Sequence, residues 1–390
     1  MNRMIPRGGA ATALALAASV LAACGGSDSG DSSTTAAGKG ATRLAFELTD
    51  TGCTPSKATV PAGAVTIVAT NPGTAKTDEF ELKNADGIIM GERENLAPGL
   101  SSDFTLTLQP GRYILNCSFQ NEQRDNGTLV VTGTAVAAKA ATPAEVADAV
   151  TAYKAYLQRE SGELLTHTQA FVAALKGGDT QQAKDLFGPT RSHYEQIEPI
   201  AESFGDLDPQ IDARVNDVAD KAKWTGFHRI EQILWQQSTT QGTGAYADKL
   251  LADVKRLDGS IAGLDLQAAQ IANGAVALLD EVSNRKITGE EDRYSHTDLA
   301  DFQGNFDGAR EAFETLKPAL AASGDQALID QVHAQIVKVQ AGLDRYRRNT
   351  PLGFALYSAL TPQDRRRFAQ QIAALAEPMS LVAGKLLQQR

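Results

Sequence analysis

Residues 127–178 read GTLVVTGTAVAAKAATPAEVADAVTAYKAYLQRESGELLTHTQAFVAALKGG, and a change of rhythm inside this stretch divides the chain. Its first seven residues are β-prone and end in glycine. After the alanine-rich bridge AVAAKAATPAE, Pro143 and Glu145 open a segment whose apolar residues recur every three or four positions, which predicts a long helix closed by Gly177 and Gly178. Upstream lie more short β-prone runs: RLAFEL, ATVPAGAVTIVATN, EFEL and DFTLTLQPGRYILNC. Turns at Pro61-Ala62-Gly63, Asn71-Pro72-Gly73 and Pro110-Gly111 separate them. The expectation is a β-sandwich over 42–133, a linker over 134–143 and an all-α bundle over 144–390, since amphipathic helices need one another to bury their apolar faces. Near the C-terminus AQQIAALAEPMSLVAGKLLQQ has the same helical rhythm, with Pro378 expected to kink or break it.

Residues 1–23 have the form of an export signal: Arg3 and Arg7, an apolar run too short to span a membrane, then LAAC. That ending resembles a lipoprotein box, which makes Cys24 the lipidated mature N-terminus; the alternative is an ordinary signal cleaved near Ala23. Residues 24–41 carry almost no large apolar side chain and read as the lipidated cysteine and its flexible tether. Thirty-seven basic against 47 acidic residues leave a charge of −10, which argues against a nucleic-acid face and for a cationic partner. With 3 cysteines and 5 histidines, a multi-ligand metal site must draw on carboxylates, and carboxylates favour a hard cation. Export permits Cys53 and Cys117 to pair as a disulfide; the same two residues are alternatively thiolate ligands.

The candidate chemistry lies between Arg191 and Glu231. In RSHYEQIEP, Glu195 and Glu198 share a helix face; Asp212 follows, and GFHRIEQILW places His228 and Glu231 three residues apart. Together these five make an oxygen-rich site with one imidazole, suited to ferric or ferrous iron, with zinc as an in vitro competitor. The bland alternative is solvated acidic faces. No HExxH is formed here, which argues against a zincin-type peptidase. His167 beside Glu163 is a candidate entrant from the first helix; His193 points away from Glu195, and His333 lacks a ligand pattern. The segment ITGEEDRYSHTDLADFQGNFDGA, with Glu290, Glu291, Asp292, Tyr294 and His296, reads either as a site-lining connection or as caps and loops. Trp224 and Trp235 read as packing anchors. In the β-region Glu79, Glu81, Glu92 and Glu94, with Cys53 or Cys117, form a second candidate site for copper or iron. Residues 42–133 contain no histidine, so a His2Cys blue-copper centre is excluded within them.

The motifs DGIIMGERENLAPG, LQPGRYILNC, GTLVV, SHYEQIEPIAESFGDLDPQIDAR, GFHRIEQILW and ITGEEDRYSHTDLADFQGNFDGA resemble the EfeO family of extracytoplasmic iron-uptake components across nearly the whole mature chain. The resemblance implies a cupredoxin-like module followed by an imelysin, or peptidase M75-like, bundle. It implies iron capture without catalysis, and the iron permease EfeU and haem peroxidase EfeB as partners, with no nucleic acid. His228 and Glu231 match the family's HxxE positions, and the lipobox implies an exported, membrane-tethered form on the extracytoplasmic side. A metal-dependent peptidase and a surface adhesion module are the competing readings.

Overall fold

A computed structural model describes residues 41–87, 89–94, 96–118, 125–134, 144–218 and 220–387. The export signal, Cys24 and the tether up to residue 40 lie outside the described residues, as does nearly all of the 134–143 linker.

The β-prone runs become β1 Thr42–Thr49, β2 Gly52–Thr54, β3 Lys57–Pro61, β4 Gly63–Thr70, β5 Glu79–Lys83, β6 Ile89–Arg93, β7 Ser101–Leu108, β8 Gly111–Ser118 and β9 Asp125–Thr132. They form two mixed sheets, ordered β2-β1-β4-β7 and β3-β9-β8-β5-β6, in which β1 runs parallel to β4 and β3 parallel to β9. Alternation decides which faces meet: Val65, Ile67 and Ala69 of β4 are buried, while Thr66 between them bonds the Thr105 hydroxyl. Phe46, Phe80 and Phe104 carry the core from one sheet to the other, with ring centroids 5.3 and 6.1 Å apart. Cys53 on edge strand β2 is joined to Cys117 on β8 by a disulfide that ties the two sheets, with the Cα atoms 5.5 Å apart.

From Ala144 onward the described chain is helical. The elements are α1 Ala144–Gly177, α2 Thr180–Ile197, a 3-10 turn Glu198–Phe204, α3 Leu207–Asp212, α4 Phe227–Gln236, α5 Gly244–Ile261, α6 Ala268–Asn284, α7 Asp298–Ala322, α8 Gln326–Asp344 and α9 Pro362–Leu387. Asp179 caps α2 by accepting from the Gln182 amide at 3.0 Å. Pro378 does not break α9, which continues through it. Helix α1 packs on α2, α5 and α7, α2 packs on α7, and α6 on α9. The sandwich sits on the bundle through β6 and β7: Asn273 Nδ2 of α6 donates to the Thr105 carbonyl at 3.0 Å, and Arg285 pairs with Glu94 at 3.4 Å. No described helix is long and apolar enough to cross a membrane.

Candidate metal centre

Three glycines let the helices that carry the acids approach each other. A Cβ at Gly304 of α7 would stand 2.7 Å from Glu195 Cβ, and one at Gly308 would stand 2.4 Å from the Gln196 carbonyl oxygen. Backbone therefore lies against backbone where α2 crosses α7, bringing Arg191 and Glu195 beside Asp301 and Asn305. Gly226, with φ at +88°, precedes α4; a side chain there would meet the Ile211 carbonyl oxygen at 2.2 Å. This contact sets the first turn of α4 against the end of α3, so His228 faces Asp212.

Two buried cations organise the acids. Arg191, fully buried, donates to Asp212 and Glu195, to Glu291 at 3.2 Å and through Nε to Asp301 at 3.3 Å. Lys286, only 1% exposed, donates to Glu195 at 3.0 Å and to both oxygens of Glu198 at 2.7 Å. Asn305 Nδ2 also reaches both glutamates, at 2.7 and 2.5 Å. On the opposite side Arg214 pairs with Glu291 at 2.9 Å, with Asp217 at 2.7 Å and with Glu281 at 3.4 Å.

His228 lies where two trios of donor atoms meet: Asp212, His228 and Glu291 in one, His228, Glu231 and Asp292 in the other, each within 4.8 Å of one another and all buried. His228 Nδ1 is 3.2 Å from Glu231 Oε2, whose other oxygen accepts from the Tyr294 and Ser295 amides at 2.9 and 2.7 Å. His228 Nε2 has no hydrogen-bond partner and stands 3.6 Å from Asp212 Oδ1 and 3.5 Å from Glu291 Oε1. Ligand atoms ~2.1 Å from one ion stand about 3 to 3.5 Å apart in octahedral or tetrahedral geometry, so this spacing suits a shared cation. Asp292 Oδ1, Asp298 Oδ2 and Asp301 Oδ1 are also buried without hydrogen-bond partners, a costly arrangement that an added positive charge relieves.

The protonation states carry the same information. Burial raises Asp292 and Asp301 well above the ordinary aspartate range despite Arg191, and neighbouring carboxylates push them further. Burial with Glu195 beside it raises Glu198, although Lys286 opposes this, and burial raises Asp298 to about 7. Glu291 goes the other way: Lys286, Arg214 and His228 overcome its burial and hold it well below the glutamate range. His228 is pressed down by burial and by Arg191, yet Asp212, Glu231 and Glu291 outweigh both and lift it to about 9. Without a cation, then, protons occupy the centre.

Several expectations change in detail. Asp212, His228 and Glu231 come together, but Glu195 and Glu198 are neutralised chiefly by Lys286, and the remaining places around His228 are taken by Glu291 and Asp292. The alternative of solvated acidic faces fails for Glu195, Glu231, Glu291 and Asp292, all buried. Of the acidic connection, Glu290 is exposed and pairs with Arg293 at 3.1 Å, Tyr294 contributes its amide, and His296 points to solvent with φ at +59°. His167 does not enter the centre: its ring lies 4.7 Å from that of His193, which meets Glu160 at 3.1 Å. Trp224 is buried with Nε1 donating to the Ala213 carbonyl at 2.7 Å, and Trp235 packs on Phe187 at 5.3 Å. In the sandwich Glu79, Glu81 and Glu92 offer oxygens within 4.8 Å of one another. Cys53 and Cys117 are removed from that ligand set because their sulfurs are bonded to each other, and Glu94 is removed because it turns to Arg285.

Residues 149–382 match the Imelysin family, peptidase M75. Iron uptake system component EfeO of Escherichia coli O157:H7 is 43% identical over 344 residues, 87% of this chain and 90% of that protein. The chain belongs to the EfeO family. The homologues of Escherichia coli K12 and of Shigella flexneri carry the same name at 42% identity, again over 87% of this chain and 90% of theirs. Residues 14–131 match the Cupredoxin-like domain, in keeping with an EfeO chain made of a β-sandwich followed by a helical imelysin domain. Reduced auracyanin of Roseiflexus castenholzii, 18% identical, matches over 24% of this chain and 99% of its own at a TM-score of 0.21. The EfeO homologues, being iron-uptake components, support a role in iron uptake for this chain. The M75 name does not by itself establish peptidase activity.

Proposed function

We propose that this chain is an iron-binding lipoprotein, anchored through Cys24 outside the membrane, that captures iron at the His228 centre and delivers it to the permease EfeU, with EfeB as a further partner. The observation that carries the reading is the unbonded His228 Nε2 between Asp212 and Glu291, inside a buried excess of carboxylates. Asp212, His228 and Glu291 supply one trio of ligands; Asp292 and Glu231 supply the other, with Glu231 fixed by two backbone amides. Oxygen-rich donors with a single imidazole favour iron, ferric above ferrous, over softer metals, with zinc able to compete in vitro. Arg191 donates to the same Asp212 and Glu291 oxygens that face His228, while Lys286 holds Glu195 and Glu198, so an entering cation competes with Arg191 for its ligands and the same competition favours release. The Glu79, Glu81 and Glu92 cluster is the candidate second site, for copper or another iron.

The test is titration of the purified protein with Fe2+, Fe3+, Cu2+ and Zn2+, beside a Glu291→Gln variant and a His228→Ala/Glu231→Ala variant. Selective iron binding lost in both variants is expected. Undiminished iron binding in both would move the site away from His228, and zinc-selective binding with peptide turnover would promote a peptidase. Membrane fractionation of Cys24→Ala that survives a high-salt wash would sink the anchor.

A further inference from the structure

Residues 345–367 hold six arginines, Arg345, Arg347, Arg348, Arg365, Arg366 and Arg367, against the single acid Asp364, in a chain whose net charge is −10. The first run directly follows the end of α8 and the second lies at the start of α9, and the fold closes them together. The Tyr346 ring packs on Phe368 with centroids 5.6 Å apart, and Tyr346 shares a hydrogen bond with Asp364. A short hairpin closes on the Arg347–Phe354 bridge, with the Arg348 amide donating to the Gly353 carbonyl at 2.9 Å. Arg347 and Arg365 are used internally, each stacked 4.7 Å over an aromatic ring, on Phe354 and Tyr357. Arg345, Arg348 and Arg366 are exposed and form no ion pair among the described residues, and Leu356 is 48% exposed within the same segment.

The geometry points to this end of the bundle as a docking face for a membrane surface rich in anionic phospholipid. Guanidinium groups bind phosphate bidentately, and a protruding leucine beside them suits the boundary between headgroups and acyl chains better than it suits water. The face also adjoins the metal centre. Tyr357 donates its amide to the His296 carbonyl at 2.8 Å and its hydroxyl to the Ile287 carbonyl at 2.5 Å, and Arg365 donates to the Thr288 carbonyl at 3.2 Å. These bonds strap the arginine segment over the connection that carries Lys286, Glu291 and Asp292. Docking therefore orients the metal-bearing connection toward the bilayer, where the proposed delivery, on which this inference rests, would take place.

The test uses the mature chain, residues 24–390, carrying Cys24→Ala, so that neither an acyl group nor the apolar export signal contributes, in sedimentation with vesicles of half phosphatidylglycerol and half phosphatidylcholine. An arginine near such a surface adds roughly fivefold to partitioning, so Arg345→Ala/Arg348→Ala/Arg366→Ala should lose on the order of a hundredfold, with the pull on the unaltered chain fading as salt is raised. Equal recruitment of the two proteins, or equal recruitment to pure phosphatidylcholine, would overturn the proposal. Retention on immobilised polyglutamate without vesicle binding would overturn it in favour of an acidic protein partner. Iron titration of the same arginine variant should be unchanged, which shows that it folds. Failure of the unaltered chain to bind iron would sink the functional reading, separately from the vesicle result.

Discussion

His228 Nε2 and Glu291 Oε1 face each other at 3.5 Å with no hydrogen bond to the nitrogen, although the two residues are 63 positions apart and both are buried. The acids around the imidazole favour its protonated form, and on the proposed reading an entering cation takes the place of that proton.

Glu291→Gln should lower iron affinity by about a hundredfold or more, since it removes a ligand that Arg214 and Lys286 keep ionised. Glu198→Gln, at the edge where Lys286 is shared, should cost about tenfold or less. Competition against a chelator of known affinity reads both. Equal losses would mean that the iron lies nearer Lys286 than His228.

Iron binding should release protons. With His228 at about 9, a cation at pH 7 must displace a proton, so apparent affinity should rise as pH is raised toward 9 and flatten beyond it. The stability linked to this histidine has the matching sign: its folded value lies above the ordinary 6.5, so the contribution to the empty protein is complete below 6.5 and is lost as pH climbs through about 9. Calorimetric titration in buffers of different ionisation heat counts the protons, and a count of zero would contradict the assignment.

Gly308→Ala should destabilise by about 1–3 kcal/mol, because the new methyl group meets the Gln196 carbonyl oxygen at 2.4 Å and pushes α2 off α7. Iron affinity should fall with it, since Arg191 and Glu195 travel on α2. Gly162→Ala on α1 meets nothing within 4 Å and should instead gain up to about 1 kcal/mol. Urea unfolding of the two variants measures the opposite signs.

Cys53→Ser/Cys117→Ser should cost about 2–4 kcal/mol in the sandwich, whose bridge closes a separation of 64 residues. Iron binding at the His228 centre should not change. A parallel loss of iron would show that sandwich and bundle unfold together through the Arg285–Glu94 and Asn273–Thr105 contacts.

The two-part architecture was legible because period-two runs before Gly133 and helical spacing after Pro143 are local properties. His228 and Glu231 were legible for the same reason, being three apart on one helix. Glu291 and Asp292 stood out only as part of a polar connection, since nothing local says that this connection folds over α4. Arg191 and Lys286 were missed, as an isolated basic residue on a helix or turn reads as a solvated one. A signal existed for Arg191 but not for Lys286: Arg191, Glu195 and Glu198 follow a helical face, as do Asp298, Asp301 and Asn305.

The sequence by itself determined which segments are strand and which are helix, and the excess of carboxylate over histidine and cysteine from which the hard-cation expectation was drawn. Tertiary structure alone decided which carboxylates meet His228, which are neutralised by Lys286, and that Cys53 and Cys117 are bonded to each other. The physical reason is range: hydrophobic periodicity acts over a few residues, whereas burial and charge pairing depend on groups as distant as Arg191 and Asp301, brought together where Gly304 and Gly308 let two helices touch.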